Sequence, residues 1–491
     1  MAATRTVEDP VPFGTAPSRP RDVATETRSP APLAGLAQIV EDRIGENVYL
    51  CYQCVKCTSG CPLVEHFDLT PNQVMRSVQL DDDSVLKSKT IWLCASCETC
   101  TSRCPQGLDI AAVMDALRIE AKSRGLPPAI PEVDKFARLF LADVRLMGRL
   151  HEVGLMAGMN LVTGNMFKDM DLAVEMLKRN KLHFVSWPTR PPRLDEIKPR
   201  EPASNEIAFY PGCSLHSSAA EYSKTLEAIA ERLDLELVEP PGWICCGSSP
   251  AHSTDRTLAT KYPVINLSII ERMGFREAIT PCAACYIRFK TAAHEMAHDP
   301  DMARRVNQEI GYAYQGSVRV MNLVETLTEK VGLDRIEKEV KRPLAGLKVA
   351  CYYGCYITRP ADITGAAHPE YPMEMDHLMR RLGAEVVDWD AKTDCCGGSL
   401  GLTQTPIAHE MTAKVLQNAW ARGADVIVTV CPLCHVNIDG RQAQIKSLGF
   451  SIPILYATQL AALALGLDEK AAMLNKNLVD PRPLLREKGL I

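Results

Sequence analysis

Residues 207–213, Ile-Ala-Phe-Tyr-Pro-Gly-Cys, return at 349–355 as Val-Ala-Cys-Tyr-Tyr-Gly-Cys. In both copies a short apolar run ends at a cysteine, the pattern of a buried strand entering a loop. Outward from that point the two stretches stay parallel. A helix follows, then a second strand, expected at 235–238 and 385–388, which leads into Cys245-Cys246-Gly247 and Cys395-Cys396-Gly397. Another helix and a strand, expected at 277–280 and 426–430, lead into Cys282-x2-Cys285 and Cys431-x2-Cys434, as in successive βαβ units. Even the ends agree, since Val-Arg-Val-Met-Asn-Leu-Val at 318–324 resembles Ile-Pro-Ile-Leu-Tyr-Ala-Thr at 452–458. A period of about 145 residues is too long for a solenoid and reads as a duplicated α/β domain.

Upstream the pattern is helical. Leu36, Ile39, Val40 and Ile44 fall at helical spacing, Thr70-Pro71 opens a second helix, and Asp109 caps a third that runs to about Ser123 before Gly125. From Val133 to about Phe184 the periodicity remains helical. Two matched cysteine sets lie between these helices: Cys51, Cys54, Cys57 and Cys61, then Cys94, Cys97, Cys100 and Cys104, each C-x2-C-x2-C-x3-C-P. The fold class is therefore α+β, an α-helical domain followed by a duplicated α/β domain. The expected organisation is a disordered tail over 1–33, a helical two-cluster domain over 34–185 and a Pro-rich linker over 186–206. Two cysteine-rich domains follow over 207–345 and 346–470, and a C-terminal tail over 471–491.

At 491 residues the chain is long enough for several cored domains. A net charge of -5 argues against a nucleic-acid partner. No apolar run approaches the roughly 20 residues that span a bilayer, so membrane association is expected only through another subunit. The first 33 residues lack the apolar core of a secretory signal, and a cytoplasmic location is expected. In a reducing compartment, 19 cysteines point to metal ligation rather than disulfides.

Three close thiolates plus a distal Cys-Pro is the bacterial ferredoxin arrangement for a [4Fe-4S] cube, and in two-cluster ferredoxins the fourth cysteine serves the other cluster. That rule assigns Cys51, Cys54, Cys57 and Cys104 to one cube, and Cys94, Cys97, Cys100 and Cys61 to the other. Structural zinc uses paired C-x2-C elements but not two matched triplets of this kind. The duplicated region carries two sets of five: Cys213, Cys245, Cys246, Cys282, Cys285, and Cys355, Cys395, Cys396, Cys431, Cys434. Five thiolates exceed what one cube needs, so each set either bridges irons in an unusual cluster, holds a plain cube with a spare cysteine, or binds zinc. The residues alone leave these open.

The stretch from Cys51 to Pro62 with that from Cys94 to Pro105, and the helical segment through Gly154 and Thr163 to Lys178, resemble the C subunit of heterodisulfide reductase. The duplicated region, with Pro211-Gly212-Cys213, Cys245-Cys246-Gly247, Cys395-Cys396-Gly397-Gly398 and Cys431-Pro432-Leu433-Cys434, resembles its B subunit, with that protein's two cysteine-rich CCG domains. The fused layout is similar to the D subunit. This resemblance implies a noncubane [4Fe-4S] cluster on each set of five, with a disulfide or dithiol small-molecule substrate between them. The activity implied is an oxidoreductase acting on a sulfur group. It also implies a flavin- and iron–sulfur-bearing A-type subunit as partner, in a hetero-oligomer or a dimer of such complexes. No Gly-rich dinucleotide fingerprint occurs in strand–helix context, so flavin or nicotinamide is expected from the partner.

The competing reading is an electron-transfer iron–sulfur subunit of a glycolate, lactate or glycerol-3-phosphate dehydrogenase-like complex. The third is a zinc-organised interaction protein. Outside the cysteine sets, Cys351 reads as a buried apolar cysteine. His216 and His435 are candidate proton donors, and Arg359 is a candidate cation for an anionic substrate tail.

Overall fold

The fold rests on two four-stranded parallel sheets of the same order, described by a computed structural model that covers residues 34–184 and 187–491. The tail expected over 1–33 lies outside the described residues. In the first sheet β1 (Glu206–Phe209), β2 (Glu236–Val238), β3 (Glu277–Ile279) and β4 (Arg319–Met321) stand in the order β2-β1-β3-β4. In the second, β5 (Lys348–Tyr352), β6 (Glu385–Val386), β7 (Val426–Thr429) and β8 (Ile454–Tyr456) stand in the order β6-β5-β7-β8. Registers correspond: Ala208 pairs with Ala278 as Ala350 pairs with Ile427. Strands covered on both faces need apolar side chains at every position, which is why Val426-Ile427-Val428 shows no alternation. β3, β6 and β7 end a residue or two before the sequence pattern does, because the chain leaves the sheet to place the cysteines.

One continuous apolar core runs through both sheets. The helices Ala220–Arg232 and Ala457–Ala464 pack together across the halves and share a 2.6 Å contact between the Thr225 and Thr458 hydroxyls. The duplication extends to the caps. Asn322 and Glu325 form a capping box after β4, and after β8 its second half recurs, with the Tyr456 N–H donating to Gln459 Oε1 at 2.9 Å.

The N-terminal region has its own core around Val74, Val78, Ile91 and Leu117. Its helices span Leu36–Ile44, Pro71–Gln79 and Ile110–Ser123, with the Thr70 N–H donating to Gln73 Oε1 at 2.9 Å and Asp109 accepting from the Ala112 N–H at 2.8 Å. The helices Pro131–Met147, Glu152–Thr163 and Met170–Lys178 then lead to the linker. Leu36–Ile491 form one compact unit.

One expectation is corrected. Residues 471–491 are no tail but fold back on the second half, with Leu474, Leu485 and Leu490 buried. Asp439 accepts from the Leu478 and Val479 N–H groups at 2.6 and 3.0 Å, and Lys488 pairs with Asp425 at 2.7 Å. The apolar residues are too sparse there to show as a periodic element. Among the described residues, no helix is long and apolar enough to cross a membrane.

Candidate metal centres

In each sheet the strand order reverses between the two central strands, and the loops leaving them diverge into a crevice beyond their carboxyl ends. The cysteines stand at these ends. Cys213 follows β1, the Cys245–Cys246 pair follows β2, and Cys282 and Cys285 follow β3. Cys355, Cys395–Cys396, and Cys431 with Cys434 follow β5, β6 and β7. In the first half Cys246 Sγ and Cys285 Sγ are 3.3 Å apart, Cys245 lies against Cys213 and Cys246, and Cys285 against Cys282. In the second half Cys396 Sγ and Cys434 Sγ are 3.4 Å apart, Cys395 lies against Cys355, and Cys434 against Cys431. Ten thiols thus come together as two groups of five.

The same devices hold both groups. Tyr210 donates its hydroxyl to the Ile244 carbonyl at 2.8 Å, and Tyr352 to the Asp394 carbonyl at 2.5 Å, so each strand is pinned to the residue before its Cys-Cys pair. Gly212 and Gly354 precede the first cysteine of each group with φ of +73° and +70°. A Cβ at Gly212 would meet Cys285 Sγ at 3.0 Å, and one at Gly354 would meet Cys434 Sγ at 3.2 Å. Backbone N–H groups point at sulfur: Gly397 to Cys395 at 3.5 Å, Gly398 to Cys396 at 3.3 Å, and Leu150 to Cys213 at 3.3 Å. Such donors tune an iron–sulfur cluster.

In the helical domain Cys61, Cys94, Cys97 and Cys100 line one small cavity with Leu63 and Phe67. Cys57 lies near Cys51 and Cys54, and Tyr52 lies beside both Cys54 and Cys104. The two loops share a strained backbone, with Gln53 and Val55 at φ of 63° and 65°, and Ser96 and Glu98 at 48° and 58°. A β-branched residue there is costly, and strain of this kind collects where a loop must wrap a ligand. Among the described residues no three His, Cys, Asp or Glu side chains converge as around one bare ion. The thiols pair up and ring a space instead, a donor set of soft sulfur that fits iron–sulfur clusters. Burial pushes the Cys94 thiol up to about 12 against the pull of Arg118. Such a thiol keeps its proton unless a metal cation takes its place.

The groups also touch one another. The Cys97 and Cys395 thiols lie against each other in one packed cluster, which joins the helical domain to the second group of five. Ala283, next to Cys282, lies against Cys431, and the helices Gly212–Leu215 and Pro432–Gly440 pack together, so the two groups of five face each other. Cys54 is the exposed member of the set.

The secondary candidates fall away from the thiols' open side. His435 is buried, its ring stacked on Tyr456 at 4.0 Å and its Nε2 3.1 Å from the Ile454 carbonyl, and burial drives its pKa well down. His216, itself partly exposed, pairs with Glu239 at 3.3 Å and packs edge-on against the buried Trp243 ring. Arg359 is buried and bonds Thr99 Oγ1 at 2.8 Å and the Thr393 carbonyl and hydroxyl at 3.0 and 2.8 Å, with its Nε left without a partner among the described residues. It ties the Cys97 loop to the Cys395 loop. Cys351 is buried in β5, paired with Val428.

Other residues at these junctions carry no sequence signal. Asp115 Oδ2 lies 2.6 Å from His252 Nδ1, and the other imidazole nitrogen is buried with no partner among the described residues. Arg118 joins Asp115 at 3.0 Å to the Cys94 carbonyl at 2.5 Å. Burial would raise the Asp115 carboxyl, but His252, Arg118 and Arg288 outweigh it and hold it below its usual range.

Comparison with known proteins matches a cysteine-rich domain family at residues 207–290 and again at 349–439, and a 4Fe-4S dicluster domain at 50–109. The dicluster match assigns two 4Fe-4S-type clusters to that region, and the cysteine-rich domains add further iron–sulfur sites. The chain is 33% identical over 285 residues to the 8-methylmenaquinol:fumarate reductase membrane anchor subunit of Wolinella succinogenes, covering 57% of this chain and 99% of that one. It is 30% identical over 283 residues to the B subunit of the ferredoxin/F420H2-dependent CoB-CoM heterodisulfide reductase of Methanosarcina acetivorans, covering 56% and 94%. Lactate utilization protein A 1 of Bacillus cereus matches at 24% over 261 residues, covering 52% and 98%. Among solved structures, a hypothetical protein from Helicobacter pylori shares the fold at a TM-score of 0.50 and 12% identity, over 90% of this chain and 74% of that one.

Proposed function

This chain belongs to the iron–sulfur oxidoreductase family that includes the B subunit of heterodisulfide reductase, and from that premise we propose that it cleaves or forms a disulfide between its two groups of five cysteines. The observation that carries the reading is that both groups are complete and face each other across the Ala283–Cys431 contact. The layout is that of a C subunit fused to a B subunit, as in a D subunit. Cys51, Cys54, Cys57 and Cys104 would hold one cube, and Cys94, Cys97, Cys100 and Cys61 the other. Cys213, Cys245, Cys246, Cys282 and Cys285, and likewise Cys355, Cys395, Cys396, Cys431 and Cys434, would each hold a noncubane cluster. When bound, such clusters carry electrons singly and offer iron to sulfur, which is what stepwise disulfide chemistry requires.

The residues set the direction of approach. Exposed Cys54 marks the entry side for a redox partner, for which a flavin-bearing iron–sulfur subunit is the proposed type. Arg359 and the Cys97–Cys395 contact hold the inner cube's loop against the second group of five. Leu150 and the Pro131–Met147 and Glu152–Thr163 helices close over the first group, shielding it from water. The reaction takes two electrons and two protons per disulfide and yields two thiols, and it runs in reverse when the partner is the stronger oxidant.

The similarity to the fumarate reductase subunit and to lactate utilization protein A favours a second reading, an electron-transfer subunit with no substrate of its own. Anaerobic mixing separates the two. Chain reduced stoichiometrically and freed of reductant should be reoxidised by a small disulfide, releasing two thiols for each disulfide consumed. Reoxidation by a quinone or ferricyanide with no response to any disulfide would favour the second reading.

A further inference from the structure

The two cysteine sets of the helical domain are near copies, yet the side chains that brace them differ by one charge. Gln79, at the end of the Pro71–Gln79 helix, turns its amide to the outer set, donating to the Cys51 carbonyl at 2.8 Å and to the Val48 carbonyl at 2.9 Å. On the Ile110–Ser123 helix, Arg118 does the same for the inner set, its guanidinium donating to the Cys94 carbonyl at 2.5 Å and to the Ile91 carbonyl. Val48 and Ile91 each stand three residues before the first cysteine of their set. The two side chains therefore fill equivalent places, one neutral and one always cationic.

Their surroundings magnify the difference. Arg118 is 5% exposed, so little water screens its charge. On the outer side the cations Lys56 and Arg76 are exposed and screened, although Arg76 donates to Gln79 Oε1 at 3.2 Å. Each electron added to a cube adds negative charge, which burial disfavours and a nearby cation favours. Cys97 is buried where its counterpart Cys54 is exposed, so the inner cube is the harder of the two to reduce unless a cation offsets its burial. Two acids act against Arg118. Asp115 pairs with its other terminal nitrogen at 3.0 Å, and Glu98 follows Cys97. At the Cys94 thiol, however, Arg118 outweighs Asp115, which is shared with His252 Nδ1 at 2.6 Å, and Arg288 lies near both acids. We propose that the Arg118 guanidinium raises the reduction potential of the inner cube, so that an electron entering at the exposed outer cube runs inward to the groups of five, while neutral Gln79 leaves the outer cube unshifted. This rests on the two-cube reading of the helical domain and is independent of the disulfide chemistry.

The test is a redox titration followed by low-temperature EPR on the full chain, purified anaerobically with its clusters, the inner cube being the signal that Cys94→Ser alters. In wild type the inner cube should titrate at the higher potential. Arg118→Gln gives the inner cube the outer cube's support. It should shift the inner cube's reduction equilibrium at least tenfold toward the oxidised form, about 59 mV for one electron, and leave the outer signal in place. Arg118→Lys keeps the charge and should recover at least half of that shift. Should Arg118→Gln lose its inner cube, Gln79→Arg, in the more exposed half, must move the outer cube's equilibrium severalfold toward the reduced form. Four results would overturn the proposal while leaving two cubes in place: a wild-type inner cube at the lower potential, an inner potential that Arg118→Gln does not move, an Arg118→Lys variant no different from Arg118→Gln, or an unmoved outer cube in Gln79→Arg. Absence of two cube signals from wild type would overturn the two-cube reading and the proposal together.

Discussion

Replacing Gly354 with Ala tests whether the loop before Cys355 is built to seat a cluster. At φ of +70° an L-residue pays about 1–2 kcal/mol for the left-handed conformation. The new Cβ would also lie 3.2 Å from Cys434 Sγ, so the thiol must yield by a few tenths of an ångström. Together these should cost about 2–3 kcal/mol, a large share of a typical folding free energy of roughly 5–15 kcal/mol. The loss should fall on the second group of five. Iron analysis should show about four of some 16 irons per chain missing while the ferredoxin-type signals persist, with melting lowered by about 3–5 °C. Gly423→Ala is the control, since its φ is +74° but a Cβ there meets nothing within 4 Å. It should lower melting slightly and keep all iron. Wild-type iron and melting in Gly354→Ala would refute the reasoning, as would equal iron loss in the control.

Exchange of the fourth ligand predicts that Cys61→Ser alters the same low-temperature EPR signal as Cys94→Ser, and Cys104→Ser the same signal as Cys51→Ser; pairing of Cys61 with Cys51 instead would reverse the assignment. Arg359→Met removes three hydrogen bonds from a buried cation and should cost about 2–4 kcal/mol in denaturant unfolding. It should also slow reoxidation by disulfide at unchanged iron content, and an unaltered rate would deny Arg359 its part in holding the two loops together. Burial holds the Asp439 carboxyl up at about 6 against the Leu478 and Val479 N–H groups. Because that value lies above the unfolded one, its contribution is fully present below about pH 4 and is lost as pH rises through 6, amounting to about 3 kcal/mol. Wild type should therefore gain on Asp439→Asn by about 1–2 kcal/mol between pH 8 and pH 5, and a gap that stays constant over that range would contradict the assignment.

Much of the architecture could be read from local signals. The two copies of strand, Gly and Cys at 207–213 and 349–355 dictate two equivalent sheets, and Thr70-Pro71 and Asp109 mark helix starts because a cap is a short-range interaction. The gathering of thiols at the candidate site was legible for the same reason, since cluster ligation concentrates cysteines at fixed spacing. What stayed hidden is long-range. Nothing local reveals that Asp115 meets His252 across 137 positions, or that Arg359 reaches Thr99 across 260. Arg359 looks free beside Cys355 in sequence, yet burial between two loops commits both of its terminal nitrogens. The 471–491 segment looked like a tail because its few leucines find their partners only after the second half has folded.

The central claim, that the duplicated domain holds two clusters unlike ordinary cubes, is tested most directly by the Mössbauer spectrum of iron-57-enriched chain purified without oxygen, with total iron counted. About 16 irons per chain are expected, half with parameters of ordinary [4Fe-4S] cubes and half distinct from them. A spectrum of ordinary cubes alone, or about half that iron, would contradict the account and leave the chain an electron relay.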